Sequence, residues 1–187
     1  MENSETIILH HDPPIFMLES ALPGRICEEL IHRAEARQFA PAPVNTNRSL
    51  LLYPALHNLT RVVLEDPKLA AGLWRRLGRG VPRHWGPWRA QGLNERLRFF
   101  RYEPGQYYLW HQDSPFRRSD KEQSLLTVLI YLNDDFTGGA TEFDGGYRVV
   151  PQRGMALVFE HGWMHQGCPV MQGRKYILRT DVMYQRV

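Results

Sequence analysis

The chain has 187 residues, of which 43% are hydrophobic, 11% aromatic and 23% charged, and its net charge is +3. This length and composition fit one globular domain and exclude a disordered or membrane-embedded chain. The small excess of 23 Lys and Arg over 20 Asp and Glu is spread along the sequence, so we expect no nucleic-acid partner.

The sequence contains no pattern typical of a membrane span or a signal peptide. No segment approaches the ~20 apolar residues that a span requires, and the acidic, polar start lacks the basic-then-apolar plan of a signal peptide. The two cysteines, Cys27 and Cys168, have no CxxC or other metal-binding spacing, which indicates reduced thiols. We therefore expect a cytoplasmic protein with no membrane partner.

The first half of the chain, to about residue 96, predicts two helices and little sheet. A short apolar run at residues 15–18 precedes a helix over residues 22–37, whose apolar positions at Ile26, Leu30, Ile31 and Ala34 share one face. A second helix is predicted from Pro67, a residue suited to a first helical turn, to Leu77. Residues 81–88 lack periodicity and predict a loop.

From about residue 97 the pattern changes to short strands separated by Gly, Pro, Asn or Asp. The predicted strands are residues 97–102, 107–110, 125–132, 140–143, 147–150, 155–159 and 176–184. Closely spaced strands without helices between them are typical of a sandwich or barrel. The sequence predicts one α+β domain: residues 1–96 provide a strand and buttressing helices, and residues 97–184 form a double-sheet roll.

His111 and Asp113 follow a strand-like run at the start of this roll. Residues i and i+2 of an extended chain face the same side, so this imidazole and carboxylate can bind one ion. Such a tripeptide also occurs by chance and is weak evidence alone. A third ligand, for which His165 is the candidate and His161 the alternative, would complete a two-His, one-carboxylate face with open positions, as in non-haem Fe(II) sites.

The segments around these residues resemble the prolyl 4-hydroxylase-like branch of the Fe(II)/2-oxoglutarate oxygenases. The matching segments are, in order, RYEPGQYY (101–108), HQD (111–113), LLTVLIYLN (125–133), GGATEF (138–143), HQGCPV (165–170) and GRKY (173–176). The resemblance implies a double-stranded β-helix, or jelly roll, with Fe(II) held by His111, Asp113 and His165. The spacing to the last two segments favours His165 over His161.

The resemblance also implies 2-oxoglutarate and O2 as cosubstrates, with L-ascorbate as the reductant. The distal carboxylate of 2-oxoglutarate needs a buried cation, because a buried carboxylate without a partner is costly. Lys175, ten positions after His165, occupies the basic position of the family. Arg179 faces the same side of the strand and is a competing or assisting clamp, since arginine is the better bidentate partner of a carboxylate.

Further side chains are carried over from the family or chosen for their position. Tyr131 matches a phenol that donates to the distal carboxylate, Thr127 on the same strand face can assist it, and Tyr102 matches a tyrosine that reaches the cosubstrate from the opposite strand. Core packing with a satisfied hydroxyl is the alternative interpretation of each of them. Trp110, beside His111, is the candidate for substrate contact.

The implied reaction is hydroxylation of a C–H bond in a prolyl, other peptidyl or small-molecule substrate, with 2-oxoglutarate and O2 converted to succinate and CO2. A cupin-like metalloenzyme without 2-oxoglutarate is one alternative, and it would not need Lys175 or Tyr131. A catalytically degenerate jelly-roll binding protein is another.

Two smaller interpretations concern polar residues. We expect four histidines at the surface: His10, His11, His57 and His84. We expect three arginines to alternate on one strand and to face an anionic substrate or solvent: Arg96, Arg98 and Arg101.

Overall fold

A computed structural model describes residues 5–42, 44–45, 50–51 and 56–187, with backbone alone for 44–45 and 50–51. The two helices are α1 (Gly24–Glu35) and α2 (Pro67–Leu77). The strands are β1 (Thr6–His11), β2 (Pro14–Leu18), β3 (Ala40–Pro41), β4 (Val44–Asn45), β5 (Leu50–Leu51), β6 (Thr60–Glu65), β7 (His84–Trp85), β8 (Trp88–Leu93), β9 (Arg96–Tyr102), β10 (Tyr108–His111), β11 (Arg117–Ser119), β12 (Glu122–Tyr131), β13 (Thr137–Gly138), β14 (Thr141–Phe143), β15 (Arg148–Val149), β16 (Ala156–Glu160), β17 (His165–Gly167), β18 (Val170–Gln172) and β19 (Lys175–Arg186). Neither helix is long and apolar enough to cross a membrane.

Two facing sheets form the predicted double-stranded β-helix. The larger sheet runs in the order β1-β2-β16-β12-β19-β9-β6-β3, and the smaller in the order β10-β17-β14-β15. Strands β9, β12, β16 and β19 of the larger sheet and β10, β14, β15 and β17 of the smaller one interleave along the chain, as a jelly roll requires. The α+β prediction and the jelly roll are confirmed.

Alternation along each strand divides the protein into two apolar layers. On β9, Leu97 and Phe99 point to the outer face of the larger sheet, where α1 and α2 pack. Phe100 and Tyr102 point into the roll, toward a second cluster that includes Phe143 and Phe159 of other strands. Full burial of each such Leu or Phe side chain contributes about 1.5–3 kcal/mol. The helices therefore cover the outer face, and the interior of the roll has an apolar cluster of its own.

Local sequence signals explain where α2 begins and ends. Pro67 occupies the first turn, and the carboxylate of Asp66 accepts a hydrogen bond of 2.8 Å from the N–H of Leu69. Two arginines lie in the last turn, where a cation is favoured by the helix dipole, and the helix ends before Gly78. The face that enters the core is Ala70, Leu73 and Leu77.

Several sequence predictions about the first half are wrong in detail. Residues 81–88 were expected to be a loop, but they include β7, which pairs with β8. Strands β6 and β8 were not predicted, and they extend the larger sheet beside β9 and β19. Helix α1 is shorter than the predicted 22–37, because Pro23 has an extended ψ of 144° and precedes the first turn, and Ala36 already follows the last helical residue.

Arg101 and His57 also differ from expectation. Arg101 does not share a face with Arg96 and Arg98, because an odd separation along a strand reverses the side chain. Its guanidinium lies on the outer face and pairs with Glu35 of α1 at 3.1 Å. His57, expected at the surface, is 4% exposed and packs edge-on against Tyr108, with ring centroids 4.6 Å apart.

Candidate metal centre

Two neighbouring strands of the smaller sheet bring the predicted ligands together. β10 ends at His111, β17 begins at His165, and these two residues are direct register partners. Asp113 follows two residues later, and its N–H donates to the carbonyl of His161 at 3.0 Å. One ligand atom from each of His111, Asp113 and His165 lies within 4.8 Å of the others. This spacing fits three ligands on one face of a single ion.

Both imidazoles are oriented by main-chain carbonyls. Nδ1 of His111 donates to the carbonyl of Leu109 at 2.7 Å, and Nδ1 of His165 donates to the carbonyl of Trp163 at 2.9 Å. A carbonyl can only accept, so each Nδ1 carries the proton and each Nε2 keeps a lone pair. Fixing the tautomer in this way is typical of metal-binding histidines.

The electrostatics of the three residues favour their metal-binding protonation states. Burial, and next the neighbouring His165, lower the pKa of His111 to about 3. Burial also lowers the pKa of His165. Burial alone would raise the pKa of Asp113, but Arg179, followed by the two histidines, holds that pKa well below its usual range. Neutral imidazoles beside a carboxylate are the forms that a divalent cation binds, and this donor set fits Fe(II).

A chain of hydrogen bonds supports the carboxylate of Asp113 from within the larger sheet. The hydroxyl of Thr127 donates to Oδ2 of Asp113 at 2.6 Å and accepts from Nδ1 of His161 at 2.9 Å. Nε2 of His161 then accepts from the hydroxyl of Ser124 at 2.8 Å. Both ring nitrogens of His161 are therefore occupied, which leaves His165 as the histidine facing the metal position.

Arg179 binds the other oxygen of Asp113. Its Nη2 lies 2.7 Å from Oδ1 of Asp113 and 3.7 Å from Oδ1 of Asp181. The guanidinium is thus committed to carboxylates of the protein at the metal end of the cavity. The geometry favours Lys175 over Arg179 as the cation for the distal carboxylate of a cosubstrate.

Lys175 lies at the other end of the same cavity, which is lined by the three ligand residues, Tyr102 and Thr141. It is 1% exposed, and burial lowers the pKa of its ammonium group to about 7. Its Nζ donates to the carbonyl of Gly139 at 2.5 Å, and within the described ranges no carboxylate pairs with it. A buried cation that has no carboxylate partner among the described residues is suited to bind the carboxylate of a ligand.

Aromatic rings and a glycine turn enclose Lys175. The rings of Tyr102 and Tyr131 have centroids 5.0 and 5.6 Å from its Nζ, and the hydroxyl of Tyr131 bonds to that of Thr141 at 2.7 Å. Gly139 has φ of +64°, and a Cβ there would lie 3.1 Å from Cδ of Lys175. The Gly138-Gly139 segment is therefore the element that presents a carbonyl to the lysine.

Two predicted residues lie elsewhere than expected. Thr127 was expected beside the distal carboxylate, but its hydroxyl contacts Asp113, because four residues along an extended strand separate it from Tyr131 by ~13 Å. Trp110 is 42% exposed and does not line the cavity, because it alternates with His111 on β10. Tyr108, whose ring stacks on that of His111 with centroids 3.6 Å apart, was not predicted as a site residue. The adjacent Tyr107 made the register of these two tyrosines ambiguous.

A second, wider cleft opens on the other side of the ligand residues. Its volume is about 400 Å³, and it is lined by Tyr108, His111, Asp113 and the arginines Arg61, Arg96, Arg98 and Arg179. Arg98 forms an ion pair of 3.2 Å with Asp181. The metal position therefore lies between the cavity of Lys175 and the basic cleft.

Comparison with known proteins matches the second half of the chain to one family. Residues 97–180 match the model of the 2OG-Fe(II) oxygenase superfamily. A protein of Acanthamoeba polyphaga mimivirus that carries the name of a prolyl 4-hydroxylase is 38% identical over 102 residues, which cover 44% of this chain and 42% of that protein. Prolyl 4-hydroxylase 1 of Arabidopsis thaliana is 32% identical over 108 residues, covering 44% of this chain and 38% of the relative. The chain thus aligns with about two fifths of the length of these relatives.

Solved structures share the fold over nearly the whole chain. The viral collagen prolyl hydroxylase of Paramecium Bursaria Chlorella virus-1, solved with 2OG, superposes with a TM-score of 0.63 at 19% identity, covering 91% of this chain and 96% of the other. A Trichoplax adhaerens prolyl hydroxylase, in complex with a hypoxia inducible factor peptide fragment, gives a TM-score of 0.71 at 16% identity, covering 90% and 82%. The matched segment, residues 97–180, contains all three ligand residues and Lys175. Through this segment the chain resembles the 2OG-Fe(II) oxygenase superfamily and, within it, the prolyl 4-hydroxylases.

Proposed function

We propose that this protein is an Fe(II)- and 2-oxoglutarate-dependent oxygenase that hydroxylates a C–H bond while converting 2-oxoglutarate and O2 to succinate and CO2. One observation carries the proposal. His111, Asp113, His165 and the buried ammonium group of Lys175 line a single cavity, with the ligands at one end and the cation at the other. A chelating dicarboxylate needs this combination of a metal face and a remote cation.

Each residue has a distinct task in the proposed reaction. His111, Asp113 and His165 would hold Fe(II), which when bound supplies O2 activation and the oxidative decarboxylation of 2-oxoglutarate. Lys175 receives the distal carboxylate, and Tyr102 and Tyr131 keep water from it. Arg179 and Thr127 hold the carboxylate of Asp113 in place. These contacts from residues outside the ligand set limit the movement of the metal ligands during turnover.

The substrate is a prolyl residue, another peptidyl residue or a small molecule in the basic cleft. Proteins that carry the name of prolyl 4-hydroxylases are similar in sequence, and one structural neighbour was solved with a peptide, which supports the peptidyl choice. The cleft volume of about 400 Å³ equally suits a small ligand. We further propose L-ascorbate as reductant and a cytoplasmic location.

Succinate formation tests the proposed function. Purified protein with Fe(II) and 2-oxoglutarate is expected to form succinate slowly without added substrate, and His111→Ala and Asp113→Ala are expected to abolish it. His84→Ala removes an exposed imidazole of β7 and serves as the matched control, with succinate formation as in the unchanged protein. Equal succinate in all variants, or none in the unchanged protein, would favour the cupin-like or binding-protein alternatives.

A further inference from the structure

The basic cleft contains more positive charge than the proposed metal chemistry uses. Arg61, Arg96, Arg98 and Arg179 all line it, and so do the metal-ligand candidates His111 and Asp113. The charge of a divalent cation and that of the 2-oxoglutarate dianion cancel each other. The excess of arginine on the substrate side therefore requires its own explanation.

Strand register explains why these arginines converge. On β9, Arg96 and Arg98 are separated by two residues and share the inner face. Arg98 is the register partner of Arg179 on β19 and of Val63 on β6, and Arg61 lies two residues from Val63. Three adjacent strands thus carry cations on one face, and β6 lies two strands, or ~10 Å, from β19.

Among the described residues, two of the four arginines have carboxylate partners and two do not. Arg179 pairs with Asp113, and Arg98 pairs with Asp181. Within the described ranges of the chain, Arg61 and Arg96 form no ion pair, and Nε of Arg96 is buried without a hydrogen-bond partner. Glu65, opposite Arg96 in the register, is exposed and forms no ion pair with it.

Grouping these cations has an electrostatic cost that an anion would offset. Burial, followed by the charges of Arg98 and Arg96, lowers the pKa of Arg61. Burial likewise lowers the pKa of Arg98, although Asp181 opposes this. Like charges close together in a partly desolvated cleft repel each other, and a planar guanidinium binds carboxylate or phosphate oxygens in bidentate fashion.

We propose that Arg61 and Arg96 bind an oxyanion of the substrate, a carboxylate or a phosphate, and so position its reactive carbon over the metal face. This inference rests on the proposed function, because that function is what makes the bound anion a substrate. It narrows the substrate class to anionic molecules, or to peptides with an anionic group near the hydroxylated residue. Arg98 and Arg179, held by aspartates, shape the floor of the same site.

Binding of simple anions tests this assignment without any turnover. Inorganic phosphate and N-acetylglutamate are titrated calorimetrically into protein free of Fe(II) and 2-oxoglutarate, with N-acetylglutamine as the uncharged side-chain counterpart of the second probe. At least one of the two anions is expected to bind at millimolar concentration or below. Arg61→Gln and Arg96→Gln are each expected to weaken that binding by about tenfold. The anion that binds with the higher affinity shows whether the site prefers phosphate or carboxylate.

Two control variants locate the anion. Arg76→Gln removes an exposed arginine of α2 and is expected to change the affinity by less than a factor of two. Lys175→Met removes the other buried cation and shows whether an anion binds at the lysine end of the cavity instead. Thermal unfolding and circular dichroism check that each variant is folded. Binding that is lost in Lys175→Met but kept in Arg61→Gln, or no binding of either anion, would overturn the inference. Because the titration contains no iron, a failure of the proposed oxygenase activity shows separately, as absent succinate in the unchanged protein.

Discussion

Both carboxylate oxygens of Asp113 have a donor within the protein. Oδ1 accepts from Arg179, and Oδ2 accepts from the hydroxyl of Thr127. These contacts leave the carboxylate with one orientation relative to the two imidazoles. Residues that never touch the metal can therefore change how tightly it binds.

Thr127→Val tests this support of Asp113. The methyl group fills the same space, but Nδ1 of His161 and Oδ2 of Asp113 lose their shared partner. We expect the affinity for Fe(II), measured by anaerobic titration, to fall by about tenfold or more. Thr127→Ser keeps the hydroxyl and is expected to retain most of the affinity. Equal metal affinity in the valine variant and the unchanged protein would contradict the supporting role of Thr127.

With the role proposed for Lys175, the binding of 2-oxoglutarate is expected to depend on pH. Burial lowers the pKa of its ammonium group to about 7, and a bound carboxylate raises that pKa again. Below this pH the lysine already carries its charge, so the affinity for 2-oxoglutarate does not change with pH. Above it, binding must take up a proton, and the affinity for 2-oxoglutarate is expected to fall by up to about tenfold per pH unit. Anaerobic calorimetric titrations from about pH 6 to about pH 9 measure both the affinity and the proton uptake.

Two variants separate Lys175 from its competitor in this pH dependence. Lys175→Met is expected to bind 2-oxoglutarate weakly and with no slope above neutral pH. Arg179→Gln is expected to keep the slope, because Arg179 contacts Asp113 rather than the lysine end of the cavity. A level profile in the unchanged protein would show that Lys175 does not receive the carboxylate.

Among the elements, those with strong local signals were predicted from sequence, and those defined by pairing were not. α2 has a proline in its first turn and a 3.6-residue apolar repeat, and β12 and β19 have long runs of β-branched or apolar residues. β6 and β8 are mixtures of polar and apolar residues that become strands because β9 and β19 offer free hydrogen-bonding edges. Such tertiary pairing overrides local propensity.

The cap of α2 provides a prediction at this scale. Asp66→Ala removes the acceptor for the N–H of Leu69, along with the exposed ion pair to Arg33. We expect the free energy of unfolding in urea to fall by about 1 kcal/mol, the typical effect of losing an N-cap. Asp66→Asn retains a capping oxygen and is expected to remain close to the unchanged protein. An equal loss in both variants would assign the effect to the ion pair.

For the molecule as a whole, the jelly roll and the convergence of its ligand residues were predictable, while their outer contacts were not. The order and spacing of the matching segments imply the fold together with His111, Asp113, His165 and Lys175 as its site. The pairing of Arg179 with Asp113 and the burial of His57 depend on the register of strands that are distant in sequence. The position of Arg61 in the basic cleft was also not predictable, because Arg61 lies on a strand that was not predicted.

The outer face of the larger sheet makes the two halves of the chain interdependent. Leu97, Phe99, Val128 and Leu178 are buried there against α1, α2 and their surroundings. We expect a fragment of residues 97–187 to be insoluble, or to lack a cooperative thermal transition, because it exposes this apolar face. Coexpression with residues 1–96 is expected to restore solubility. A cooperative transition in the isolated fragment would show that the buttressing half is dispensable for folding.

β19 carries Lys175, Arg179 and Asp181 on one face, separated by even numbers of residues. A one-residue insertion or deletion between Lys175 and Arg179 would turn one end of this series toward the helices, and no adjustment of a neighbouring loop would correct it. Homologues that change their chemistry are therefore expected to vary here by substitution at constant length. We expect length variation only in segments outside the paired strands. The constant spacing from Lys175 to Asp181 can therefore guide the alignment of distant sequences of this fold.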